Sequence, residues 1–106
     1  PAFIPIYEGG LRDGQHRNPA RDPRWFTTAY FHHSDEIADE ARDAGLEPEA
    51  LLGVEGPGWL LGDAWADPTR RAGILTAARA VEREPALLGA SSHILLVARP
   101  AADPSR

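Results

Sequence analysis

Residues 93–99 (HILLVAR) constrain the fold more than any other stretch of this chain. Successive side chains of a strand point to opposite faces, and Ile94, Leu95, Leu96 and Val97 place apolar groups on both. Such a strand belongs inside a sheet, covered above and below, which is the habit of layered α/β folds. The remaining residues must supply that cover. With 106 residues in all, there is room for one small domain and no more.

Other stretches read as regular structure around it. Residues 1–24 carry four Pro and three Gly with no lasting period, and read as an extended or loop-like arm with one helical turn near its start. Residues 26–31 (FTTAYF) are aromatic and β-branched between Pro23 and polar residues, the composition of a strand. Ser34 then caps a helix with Asp35 and Glu36 in its first turn, where the dipole favours negative charge. Ile37, Ala41 and Ala44 line one face of it; Gly45 supplies a left-handed stop, and Leu46 folds back on the last turn. Residues 51–55 (LLGVE) read as a short strand closed by Gly56, Pro57 and Gly58. Asp67-Pro68 starts a second helix with Ile74, Leu75, Ala78 and Val81 as its apolar stripe, limited by Pro85. The order arm, β, α, β, α, β predicts an α/β layer architecture. Residues 25–100 form its α/β portion and residues 101–106 a tail.

Charge excludes several functions. The net charge is −5, and residues 34–67 hold ten acids against one Arg, so a general affinity for nucleic-acid phosphates or anionic lipid is not expected. No apolar run is long enough to span a bilayer, and a cytoplasmic setting is expected. Without Cys there is no disulfide, thiolate metal site or cysteine nucleophile. His32, His33 and Asp35 carry ligand chemistry for zinc or iron, but adjacent residues of a strand face opposite ways and no HxxxH spacing supports a site, so no metal is expected. Ser91 and Ser92 have His93 nearby and no orienting acid in sequence, and nothing like GxSxG surrounds them.

Read together, HRNP followed by FTTAYFHHSDEI, then EARDAGLEPEALLGVEGPGWLL and EREPALLGASSHILLVARP, resemble the C-terminal part of a class I S-adenosylmethionine-dependent methyltransferase of the actinobacterial type. The resemblance covers about residues 12–100. The composition agrees: all eleven basic residues are Arg, as a GC-rich coding sequence produces. In that family the last strand runs antiparallel, inserted between the fifth and the sixth. This implies a portion of a Rossmann-like sheet, with LLGVE as the sixth strand and HILLVAR as the seventh.

The stretch LLGVEGPGW superficially echoes that family's cofactor turn through Glu55, Gly56 and Gly58. Pro57 stiffens it, however, and no acidic residue ends a second strand about 20 residues on. It reads instead as a glycine-proline turn anchored by Trp59. The resemblance places the glycine-rich cofactor turn and the acidic ribose ligand upstream. No cofactor-binding residue is therefore assigned here, and no S-adenosylmethionine is expected to bind this chain. The absence of Met fits the same expectation, that of the rear of a longer polypeptide. The implied parent methylates a small-molecule acceptor, and the isolated region is expected to be inactive. Its acceptor-side candidates are His16, Arg17, Asn18, Tyr30, His32 and Trp59, while no catalytic residue is assigned. The alternative is a non-enzymatic α/β module for association or ligand binding. Either way, open sheet edges at residues 26–31 or 93–99 predict self-association.

Overall fold

The structure, a computed structural model, describes residues 3–103 and residue 105. It is a mixed α/β arrangement with two small antiparallel sheets and several helices. The chain divides into two compact units, one ending at His33 and one starting at Ser34.

The first unit opens with helix α1 (Ile4–Asp13) where the sequence predicts an arm with a single turn. Pro5 lies in the first turn, where its missing N–H breaks no bond. Ile4, Tyr7 and Leu11 recur at helical spacing. Gly9 and Gly10 each cost the helix about 1 kcal/mol relative to Ala, which is why the stretch reads as a loop. Gly14 ends α1 at φ 73°, its N–H donated to Gly10 O at 2.8 Å. No other residue fits there. A Cβ would lie 2.9 Å from the Phe31 carbonyl oxygen and 2.9 Å from Tyr30 Cε2.

Past Gly14, strand β1 (Gln15–His16) pairs antiparallel with β2 (Ala29–Tyr30), with His16 opposite Ala29. The strand expected over residues 26–31 is thus cut to two residues. Asn18 explains the loss. Its Nδ2 lies 2.8, 2.6 and 3.0 Å from the carbonyl oxygens of Asp22, Trp25 and Phe26, and its Oδ1 accepts the Asp22 N–H at 3.1 Å. One amide thereby folds residues 22–26 into a loop and draws the Phe26 carbonyl away from any ladder.

The second unit begins with α2 (Glu36–Asp43), whose N-cap is Asp35 without a side-chain cap bond, not the expected Ser34. Gly45 stops it at φ 78°, as the sequence predicts. Leu46 does not fold back on the helix; it begins β3 (Leu46–Gly53), which pairs antiparallel with β4 (Ile94–Pro100). β3 runs straight through Pro48. Proline is tolerated because β3 is paired along one edge only among the described residues, and the register shifts between Pro48 and Ala50. Glu47, opposite Arg99 in the ladder, and Glu49, the extra residue at the shift, reach Arg99 at 2.6 and 3.0 Å. All three are half-exposed, so each pair contributes about 0–1 kcal/mol.

Among the described residues, 93–99 do not take the interior position expected of them. Among the described residues β4 pairs with β3 alone, and Leu95 and Val97 are 50% and 41% exposed while Ile94, Leu96 and Ala98 are partly covered. α2 packs against the pair, so one face receives the cover that both call for.

Asp67 caps α3 (Pro68–Val81) by accepting the Arg70 N–H at 2.8 Å. Ile74 and Ala78 are buried, while Leu75, expected on the same stripe, is exposed. The 3-10 segment Gly56–Trp65 packs on α3, and a second, Pro85–Ala90, leads to β4. The buried apolar residues of the described chain are Ala41, Ala64, Ile74, Ala78 and Leu88. Ile74 and Leu88 contribute about 1.5–3 kcal/mol each by leaving water.

Candidate functional site

Antiparallel pairing brings the end of β3 to the start of β4. Val54 N–H continues the ladder to His93 O at 3.0 Å. The next residue, Glu55, turns its carboxylate inward until it is 15% exposed. Oε1 accepts the His93 backbone N–H at 2.6 Å and lies 3.0 Å from Ser91 Oγ; Oε2 lies 2.9 Å from His93 Nδ1. Ser91 in turn accepts the Gly56 N–H at 3.2 Å. Its single hydroxyl hydrogen is shared between Glu55 Oε1 and the His93 carbonyl, the latter at 2.8 Å. Burial pushes the Glu55 carboxyl up, but the bonds from the His93 ring, the His93 N–H and Ser91 outweigh it and hold the carboxyl below its ordinary range.

Because an ionised carboxylate only accepts, the His93 bond is Nδ1–H to Oε2. In the neutral ring such a bond selects the tautomer with its hydrogen on Nδ1 and the lone pair on Nε2. The ring itself is 75% exposed. A buried carboxylate orienting an exposed imidazole is an arrangement that can take up or deliver a proton.

The GVEGPGW stretch supports this junction by packing. Gly56 sits at φ 55°. A Cβ on Gly58 would fall 2.6 Å from Ile74 Cγ2, so glycine here admits the core isoleucine. Trp65 Nε1 donates to Gly58 O and Trp59 Nε1 to Ala90 O, both at 2.9 Å. The backbone that would have to approach a cofactor is thus filled from within, and this turn does not fit S-adenosylmethionine.

Five of the six sequence candidates lie in the first unit and Trp59 lies in the second. His16 is buried, with the rings of Phe3, Phe26 and Phe31 at 6.2–6.4 Å, and its Nε2 has no hydrogen-bond partner. Arg17 pairs with Asp13 at 3.0 Å and donates to Gln15 at 2.6 Å. The backbone N–H of Gln15 and the Arg17 guanidinium hold the Asp13 carboxyl below its usual range. Asn18 is committed to its loop. The Tyr30 ring meets His32 edge-on at 4.7 Å. A groove of about 550 Å³ runs past Asn18, Arg21, Asp22, Phe26, Thr27 and Thr28. Arg24 holds Asp22 with a 2.6 Å ion pair, lowering its carboxyl. Arg17 is thus engaged by Asp13 and Gln15, Asn18 by the backbone of residues 22–26, and Asp22 by Arg24.

Sequence reasoning missed Glu55, Ser91 and His93 as a group. The available signal was topological: if the last two strands are antiparallel, an acid at the end of one faces a histidine at the start of the other. Among the described residues no three His, Asp or Glu side chains gather where a metal ion could be held, and no helix is long and apolar enough to cross a membrane. No family model, curated protein or solved structure matches the chain.

Proposed function

We propose that these residues form the acceptor-side rear part of a class I S-adenosylmethionine-dependent methyltransferase acting on a small molecule, with the cofactor held by strands outside this sequence. One observation carries the reading: β3 and β4 are antiparallel neighbours, the sense the last two strands take in that family. On this reading β3 is the sixth strand and β4 the seventh, and the open edge of β4 is where a further strand of the sheet lies. The chain contributes positioning of the acceptor, the main source of rate in such transfers. Calorimetric titration tests it. The 106 residues alone give no saturable heat with S-adenosylmethionine, whereas the polypeptide that also carries residues upstream of Pro1 binds it. Micromolar binding to the 106 residues, or none to the longer chain, contradicts the proposal.

A second reading is an association module, favoured by exposed Leu95 and Val97 on a strand with one free edge among the described residues. Free edges pair with other chains. Static light scattering distinguishes it: concentration-dependent dimers in the longer polypeptide favour association as the native role.

A further inference from the structure

The groove in the first unit is lined by the loop that Asn18 folds. Its volume of about 550 Å³ lies within the range of small-molecule sites, roughly 300–1,000 Å³. Two consecutive turns shape the loop. The Arg21 N–H donates to Asn18 O at 3.1 Å, and the Trp25 N–H to Asp22 O at 3.0 Å. The Asn18 amide ties the two together through the carbonyls of Asp22, Trp25 and Phe26. The groove is therefore formed before any ligand arrives, which lowers the ordering cost of binding.

We propose that this groove binds a planar aromatic carboxylate, with Arg21 as the anion clamp and Phe26 as the platform for the ring. Three observations converge. Arg21 has a φ of 52°, the one positive value outside glycine among the described residues. A side chain occupies that region at a steric cost, and such strain gathers at sites that hold a ligand. Its guanidinium lines the groove and engages no acid or carbonyl among the described residues, so its donors remain for a guest. Phe26 is 66% exposed, and the His16 ring braces it at 6.4 Å; an open aromatic face suits a planar ring.

The acid in the lining does not oppose a negative guest. Both Asp22 oxygens are taken by Arg24, Oδ1 at 3.0 Å from Nε and Oδ2 at 2.6 Å from Nη2. That fork is the geometry Arg21 offers a carboxylate. Thr27 and Thr28 bring hydroxyls to the same lining, free of partners among the described residues, and a hydroxyl donates to a carboxylate oxygen. A single guanidinium balances a single negative charge, which favours a carboxylate over a phosphate dianion. The inference does not depend on the methyltransferase reading, since every residue it uses precedes Ser34.

The probe is 2-naphthoate, titrated into the 106-residue chain at pH 7 and followed in 1H–15N spectra. Saturable shifts are expected at the Arg21, Thr27 and Thr28 amides, with a dissociation constant on the order of 1 mM or below. Naphthalene-2-carboxamide keeps the rings without the charge, and acetate the charge without the rings; each is expected to bind roughly tenfold more weakly or worse. Arg21→Gly removes the guanidinium and relieves the positive φ. It is expected to unfold at no lower a midpoint while losing roughly tenfold or more in affinity for 2-naphthoate. Arg21→Lys keeps the charge but not the fork, and is expected to fall between the two. No saturable shift in the wild-type chain, equal affinity in Arg21→Gly, equal affinity for the carboxamide, or shifts confined to residues after His33 overturns the proposal. No methyl donor takes part, so failure here is separate from failure of the S-adenosylmethionine titration.

Discussion

His16 and His93 sit in opposite surroundings. The first is buried in a box of aromatic rings, its Nε2 without a partner. The second is mostly exposed, yet one ring nitrogen is held by a carboxylate that is itself nearly covered. Burial by itself gives His16 a cost, because an unsatisfied buried polar atom loses its water bonds without replacement. A partner gives His93 a direction. The difference teaches that what makes a histidine chemically useful is a fixed tautomer beside an accessible nitrogen, and this is a property of the neighbour as much as of the ring.

The largest expected effect comes from breaking the frame around His16. Gly14→Ala must accommodate a positive φ and a Cβ 2.9 Å from a carbonyl oxygen, and is expected to cost about 3 kcal/mol. Hydrogen exchange reads it: the Phe31 amide, bonded to Gly14 O at 2.7 Å, loses its protection. Unchanged protection would mean that the β1–β2 pairing does not depend on this turn.

Next in size is Glu55→Gln, which turns an amide N–H₂ toward groups that donate. The expected loss is about 2 kcal/mol at neutral pH. Acidification gives the sign check. Since the folded carboxyl lies below its unfolded value of roughly 4.3, its contribution is complete above that pH and disappears as pH falls through the lower, folded value. Denaturant midpoints of the wild-type chain and the variant should therefore converge in acid. A gap that stays constant down to pH 3 would assign the stability to packing instead.

The smallest change sharpens the other side of the comparison. His16→Phe replaces an unpaired nitrogen with apolar carbon in an apolar box and is expected to stabilise the chain by about 1 kcal/mol. A drop in the thermal midpoint would show that the imidazole makes a contact worth keeping.

The sequence was most informative where a single residue decides local geometry. Asp67-Pro68 marks the start of α3 and Gly45 the end of α2 because cap chemistry and positive φ are short-range requirements. Helix α1 was hidden by Gly9 and Gly10, whose low propensity is offset by tertiary contact: the ring of Phe3, at its start, meets that of Trp25 at a tilt of 54° and 6.2 Å. The doubly apolar pattern at Ile94 to Val97 identified a strand, yet pattern alone states a need for cover and says nothing of what provides it. The fate of Asn18 was illegible for a related reason. Its donors read as available for a ligand, and three backbone carbonyls four to eight residues away take them. Glu55 and His93 are 38 residues apart, and no local period links them; only the antiparallel pairing of their strands does.

A long-range 1H–15N spectrum of the two ring systems at pH 8 tests the central claim most directly. The account predicts that His93 carries its hydrogen on Nδ1 with Nε2 bare, and that Glu55→Gln abolishes this preference. A His93 ring protonated on Nε2 in the wild-type chain, and indifferent to Glu55→Gln, would contradict it.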